Sequence, residues 1–275
     1  MTYPQHDHAS TGSVEHRCKR TIDINATPEQ IWDAITTANG MAAWMVPATI
    51  DPRTGGDIAF QLGDDLWSTG TITAFDAPHR FAYEEPDWPL LAGQDPAGVT
   101  PMATEFLIEA VSGGSTILRV VTSAFGTGAD WENEFFTDMT GSWLALFDNL
   151  RLYVTHFNGQ PVTIAKITID SAALDADTLR ANIRHGLAIS AVGQHIDVPS
   201  GTAIVERVDN GPLLLRLDTT PILIEIEAWN GDTTVQCELT ARCFNDADSF
   251  PQNAWTNWLA AAIDIDPHGG RGAVS

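Results

Sequence analysis

The side chains that could perform chemistry are scattered through this sequence and form no recognisable motif. His79, His156, His185 and His195 stand far apart, and neither an H-x-x-x-H nor a C-x-x-C spacing occurs. Because metal sites need ligands at such spacings, we predict no metal ion. A G-x-S-x-G nucleophile motif and a phosphate-binding loop are also missing. The sequence therefore predicts no catalytic residue and no cofactor.

Three charged residues in predicted strands are possible catalytic groups. Glu84 and Glu85 are adjacent in a strand pattern, so they point to opposite faces and are poor candidates for joint acid–base work. Arg119 alternates with apolar neighbours and is predicted to face solvent. An enzyme would need a titratable group that points into a pocket and has a pKa shifted by burial. The sequence identifies no such group.

Aromatic side chains are the second group with functional potential, since the chain has nine Trp and eleven Phe against three Tyr. Pockets for apolar molecules are lined by such rings and carry few polar groups. The alternative is a filled aromatic core that holds no ligand. The candidate ligand-binding residues are Trp32, Trp44, Phe60, Phe81, Tyr83, Trp88, Phe106, Trp143, Phe147, Trp255 and Trp258.

The elements that position these rings follow from local patterns. Thr27 and Gln30 form a capping box, with Pro28 at the first helical position, so a helix begins there. Short strands with alternating polarity follow, including a hairpin over 103–124. From Asp130 the apolar residues recur three and four apart up to Phe157, which predicts a long helix with an aromatic stripe.

After Pro161 the order of elements starts again. A strand at 166–170 echoes the one at 19–23, and a helix pattern, four strand patterns and a last helix with Trp255 and Trp258 follow. We interpret this order as an internal repeat of two modules.

The first module resembles the Hsp90-ATPase-activator-homologue (AHSA1-like) group of the START/Bet v1-like (SRPBCC) superfamily over residues 17–157. The matching positions are Pro28, Trp32, Trp44, Pro47, Gly55, Gly56, Gly70, Asp76, Pro78, Arg80, Tyr83, Gly141, Trp143, Leu146 and Leu150. The resemblance implies an α+β helix-grip fold, in which a curved antiparallel sheet wraps around a long C-terminal helix with a cavity between them.

The predicted organisation is therefore two tandem helix-grip domains, over 14–158 and 161–266, with flexible tails at 1–13 and 267–275. The segment 86–102 contains several prolines together with Trp88, so it interrupts the strands. It is either a lid over the cavity or a surface loop held by its own apolar side chains.

The resemblance also implies a function. Related START-like proteins occur in bacterial antibiotic clusters, including enediyne (dynemicin-type) clusters, where they bind, carry or give resistance to the product. We expect this chain to bind a large apolar small molecule, such as a polyene, polyketide or lipid, as a carrier, chaperone or resistance protein. The alternative is a polyketide cyclase or aromatase that acts on a chain held in the same cavity.

The composition limits the other classes of partner. The formal net charge of −22 argues against binding to nucleic acid and to anionic membrane surfaces. The N-terminus lacks the basic start and apolar core of a signal peptide, and no apolar run reaches the length of a membrane-spanning helix. We expect a cytoplasmic protein, with protein partners unknown. Cys237 and Cys243 lie an even number of residues apart in one strand, so they are predicted as buried thiols on one face.

Overall fold

The first helix begins where the capping residues predict it. In the computed structural model of the chain, the Thr27 side chain accepts a hydrogen bond from the Gln30 amide at 3.3 Å, and the Thr27 amide donates to the Gln30 side chain at 2.9 Å. This helix, α1, spans Pro28–Thr36 and has an apolar face. The structure describes residues 13–63, 65–111, 114–231, 233–245 and 250–263.

The first half of the chain forms a seven-stranded antiparallel sheet. Its elements, in chain order, are β1 (Val14–Ile24), α1, α2 (Ala38–Trp44), β2 (Ala48–Ile50), β3 (Asp57–Gln61), β4 (Trp67–Asp76), β5 (Arg80–Glu85), a 3₁₀ turn (Trp88–Ala92), β6 (Met102–Ala110), β7 (Thr116–Gly126) and α3 (Asp130–His156).

The second half forms a six-stranded antiparallel sheet. Its elements are β8 (Val162–Ser171), α4 (Ala176–Gly186), β9 (His195–Val198), β10 (Gly201–Arg207), β11 (Leu213–Leu217), β12 (Ile222–Asn230), β13 (Val235–Phe244) and α5 (Gln252–Ile263).

The two sheets share one topology, which confirms the predicted α+β fold with tandem helix-grip modules. The strand order is β1-β7-β6-β5-β4-β3-β2 in the first sheet and β8-β13-β12-β11-β10-β9 in the second. In each, the strand before the first helix pairs with the last strand, and the remaining strands form a meander. The two halves therefore repeat one topology, although they share little sequence.

By compactness the chain divides into two units, and the division falls within α3. The first unit comprises residues up to Ala42 together with Val46–Trp143, and the second comprises Ala43–Met45 and the chain from Leu144. The predicted domain ranges, 14–158 and 161–266, remain predictions. The predicted flexible tails lie, apart from residue 13, outside the described residues.

In the second unit, helices α4 and α5 cover one face of the sheet. Ile183, Leu239 and Trp255 belong to the core on that face. The core also contains Cys237 and Cys243, both buried on the same side of β13 as predicted. Burial raises the pKa of the Cys237 thiol to about 12 and that of Cys243 to about 11. These thiols therefore act as small apolar core groups.

The opposite face of the second sheet carries charged residues against the C-terminal half of α3. Arg242 donates to Glu225 at 2.8 Å, and Asn149 of α3 donates to the same carboxylate at 2.9 Å. The ring of Phe244 stacks on those of Tyr153 and Phe157, with centroid distances of 5.7 and 4.4 Å. The Asn149 hydrogen bond and the stacked rings thus bind this half of the helix to the sheet.

Candidate functional site

Five of the predicted ligand-binding residues form one cluster in the first unit, on the inner face of the first sheet. Phe81 and Tyr83 alternate along β5 and share this face, as the strand period requires. The ring of Phe81 lies 6.1 Å from that of Phe106 on β6 and 6.4 Å from that of Trp32 on α1. Phe60 on β3 lies 5.3 Å from Tyr83. We call Trp32, Phe60, Phe81, Tyr83 and Phe106 the aromatic face.

Trp88 belongs to a separate cluster at the start of α3. Its ring contacts those of Trp131 and Phe135 at 5.4 and 5.0 Å, and its indole N–H donates to the Thr100 carbonyl at 3.0 Å. Trp88 exposes no surface. The predicted loop at 86–102 is therefore held in place by its own tryptophan, while its role as a lid remains a prediction.

The remaining predicted residues lie elsewhere. In the second unit, Trp44 stacks on Phe147 with a centroid distance of 6.3 Å. In the same unit, Trp255 contacts Trp258 at 5.2 Å and donates to the Ser200 hydroxyl at 3.2 Å. Trp143 is half-buried in α3. The structure thus brings five of the eleven candidates together, and the ligand-binding role of all eleven stays a prediction.

Polar side chains also line the inner face of the first sheet, in a row beside the aromatic rings. Thr104 on β6 and Thr122 on β7 share a hydrogen bond of 3.0 Å between their hydroxyls. Tyr83 lies directly opposite Thr104 on the neighbouring strand. Glu85 follows two residues after Tyr83 on the same face, and the Ser68 hydroxyl of β4 donates to its carboxylate. We call Ser68, Tyr83, Glu85, Thr104 and Thr122 the inner polar row.

Glu85 is the electrostatically unusual member of this row. Its side chain is buried, with 5% of the residue exposed, and among the described residues no Lys, Arg or His forms an ion pair with it. Burial raises the pKa of this carboxyl to about 7, and the Ser68 hydrogen bond opposes the shift only partly. Burial, followed by the charge of Glu85, also raises the pKa of Tyr83 well above its usual value. Glu85 is therefore a proton donor near neutral pH.

The backbone around Glu85 leaves room for its side chain. Gly70 of β4 lies opposite, and a Cβ at that position would come within 2.5 Å of the Glu84 carbonyl and 3.2 Å of the Glu85 Cγ. Glu85 is also the last residue of β5 and pairs with Met102, the first residue of β6. The 86–102 segment therefore begins directly at the buried acid.

A second buried acid in the first unit has a structural role. Glu132 accepts hydrogen bonds from the amides of Thr127 and Gly128 at 2.8 and 2.9 Å, and its carboxylate lies 2.9 Å from the His16 ring nitrogen. Burial alone would raise the pKa of Glu132, but these donors outweigh it and lower the pKa to about 2. The carboxylate is saturated by donors that belong to the chain, so it stabilises the entry to α3.

The second unit has a small pocket that could be mistaken for a site. It lies between α4 and the β10–β12 region, has a volume of about 10 Å³ and is lined by residues that include Arg180, Ile183 and Asp209. This volume holds about one water molecule, so it is too small for an organic ligand. Among the described residues no group of His, Cys, Asp and Glu side chains is arranged to bind a metal ion.

Sequence reasoning missed Glu85, although a signal was present. The alternation Phe81, Tyr83, Glu85 places the acid on the same face as two candidate pocket residues. The correct prediction that Glu84 and Glu85 face opposite sides already required one of them to point inward. The structure shows that this residue is Glu85, since Glu84 is exposed.

One protein-family match lies in the first half of the chain. Residues 25–155 match the family described as Activator of Hsp90 ATPase homolog 1-like protein. The match covers slightly less than half of the chain and confirms the resemblance noted in the sequence over that segment. No curated protein matches the sequence.

Solved structures resemble the chain at low sequence identity. A protein from Mesorhizobium loti is 19% identical, covers 52% of this chain and 99% of its own, and has a TM-score of 0.45. The di-domain ARO/CYC BexL from the BE-7585A biosynthetic pathway is 12% identical over 92% of this chain and 100% of its own, with a TM-score of 0.42. DynU16, from the dynemicin biosynthetic locus, is 11% identical over 90% of this chain and 97% of its own, with a TM-score of 0.41.

No helix in the described part of the chain combines the length and the apolar character that crossing a membrane requires.

Proposed function

We propose that the chain binds a large hydrophobic small molecule against the aromatic face of the first sheet. The observation that carries this proposal is the pairing of five clustered aromatic rings with a row of polar groups on the same inner face. Ligand sites combine apolar walls with a few polar groups that orient the ligand. A core with packing as its sole role has no need for a buried carboxyl without a counter-charge, because burying such a group is costly.

The biological role within this proposal is that of a carrier, chaperone or resistance protein in bacterial natural-product biosynthesis. The family match over residues 25–155 supports a helix-grip module as the binding unit. Placement in an enediyne pathway and in the cytoplasm belongs to the same proposal.

The proposal is tested with Nile red, a neutral fused-ring dye with one ring carbonyl, whose fluorescence rises in an apolar environment. Wild-type protein is expected to bind it saturably. Phe106→Trp adds bulk to the aromatic face and should weaken binding. Phe125→Trp is the matched control, because Phe125 is 45% exposed. The absence of saturable binding to the wild type, or equal binding to both variants, would contradict the proposal.

A second candidate function is a polyketide cyclase or aromatase, and Glu85 is the observation that favours it. A carboxyl with a pKa of about 7 can donate and accept a proton at neutral pH, which is the requirement for general acid–base catalysis. The two functions differ in what happens to the bound molecule. A carrier releases a polyketide-like ligand unchanged, whereas a cyclase converts it to a product with a new mass and chromophore. Glu85→Gln should abolish the formation of that product.

A further inference from the structure

We infer that the ligand of the aromatic face carries a neutral hydrogen-bond acceptor, such as a ketone or quinone carbonyl, that contacts the carboxyl group of Glu85. This inference rests on the proposed function and narrows it to one chemical class. It follows from which polar groups on the inner face are already paired and which retain free capacity.

The two threonines of the inner polar row are occupied by each other. Thr104 and Thr122 share one hydrogen bond. Tyr83 lies opposite Thr104, and its pKa is raised well above the usual value, so its hydroxyl stays neutral. Glu85 has a side-chain hydrogen bond to Ser68 and to no other residue in the described part of the chain. A carboxylic acid has one donor and further acceptor sites, so Glu85 retains capacity for a ligand.

The surroundings of Glu85 favour its neutral form. Ser68 and Gly70 approach it from β4, Met102 pairs with it from β6, and Tyr83 is the titratable neighbour on its own strand. Met102 in turn belongs to an apolar cluster with Trp88 and residues of α3. With apolar or neutral groups on these sides, the acid is protonated below about pH 7 and then offers its O–H as a donor, in keeping with its raised pKa.

The same environment favours a ligand without a charge. A carboxylate or phosphate on the ligand would place an unpaired charge in the same apolar surroundings, and burying such a charge is costly. A pure hydrocarbon would leave the carboxyl group without a partner once water is displaced, and an unsatisfied buried group is costly. A carbonyl oxygen accepts the Glu85 proton and meets both conditions.

The inference is tested with four naphthalenes that share a ring system and differ in one group. They are acetylnaphthalene, ethylnaphthalene, naphthoate and aminomethylnaphthalene, and binding is followed by quenching of tryptophan fluorescence. Acetylnaphthalene is expected to bind tightest at about pH 6 and to weaken roughly tenfold by about pH 8.5, because one hydrogen bond is lost when Glu85 ionises. Ethylnaphthalene should bind more weakly with no dependence on pH, and naphthoate should bind worst.

Two variants assign the effect to Glu85. Glu85→Gln keeps a neutral donor of similar size, so it should bind acetylnaphthalene at every pH with no pH dependence. Glu84→Gln, at the exposed neighbour, should behave like the wild type. Circular dichroism of each variant establishes that it is folded.

The outcomes separate the inference from the proposed function. If none of the four compounds binds, the proposed function itself fails. If ethylnaphthalene and acetylnaphthalene bind equally and without pH dependence, the ligand face exists but the inference is wrong. Tightest binding of aminomethylnaphthalene that strengthens as the pH rises would show that Glu85 receives a cation, which also overturns the inference.

Discussion

The buried carboxyl of Glu85 makes a quantitative prediction for stability. Its pKa is raised from 4.5 to about 7 in the folded protein, and each unit of pKa difference corresponds to about 1.4 kcal/mol. Because the unfolded chain ionises first, the folded state loses stability as the pH rises through this interval. The loss begins near pH 4.5, reaches about 3 kcal/mol near neutral pH and stays constant above it.

Glu85→Gln removes the titration and keeps a side chain of similar size that can bond to Ser68. The free energy of unfolding of this variant, relative to the wild type, should therefore increase by about 3 kcal/mol between about pH 4.5 and pH 8. Urea denaturation at several pH values, followed by circular dichroism, measures this difference. Carbon-13 NMR of the Glu85 carboxyl group gives its pKa directly.

The control for this experiment is Glu84→Gln on the same strand. It removes the same charge at an exposed position and so accounts for the general effect of the net charge. A stability difference between wild type and Glu85→Gln that stays constant across this pH range would refute the reasoning. So would a Glu85 carboxyl that titrates near its ordinary value.

Three further predictions concern other buried groups. Arg242→Met should cost about 3–5 kcal/mol of unfolding free energy because it removes the counter-charge of the buried Glu225 carboxylate. Lys166→Met at a more exposed pair should cost under about 1 kcal/mol. Similar losses for the two variants in urea titrations would argue against this. Glu132→Gln should lower the free energy of unfolding by about 2–3 kcal/mol at neutral pH. This difference should shrink as the pH falls towards 2, because the wild-type carboxylate then becomes protonated. A difference that does not shrink in acid titrations would count against this prediction. Trp88→Ala should free the 86–102 segment for thermolysin cleavage at its leucines, and unchanged digestion kinetics would show that other contacts hold it.

Much of the architecture could be predicted because it depends on local physics. The capping box at Thr27 and Gln30 sets the start of α1, and the apolar spacing from Asp130 sets the long helix. The repeat appeared as an order of elements, and the two sheets then proved to share one strand order. Where neighbouring residues could play the same local role, the sequence was less decisive: Asp175 and Asp177 both lie at the start of α4, and Asp175 is the one that caps it.

The candidate site was predicted only in part. Period-two alternation along β5 groups Phe81 with Tyr83, and the same alternation also contained Glu85. The sequence alone therefore determined the fold class, the repeat and the aromatic content. Only the tertiary structure decided which rings meet, that Trp88 packs at the start of α3, and that Glu85 is buried beside Ser68 without a cation. Those facts depend on strand register and on side chains distant in the chain, and local patterns carry no information about either.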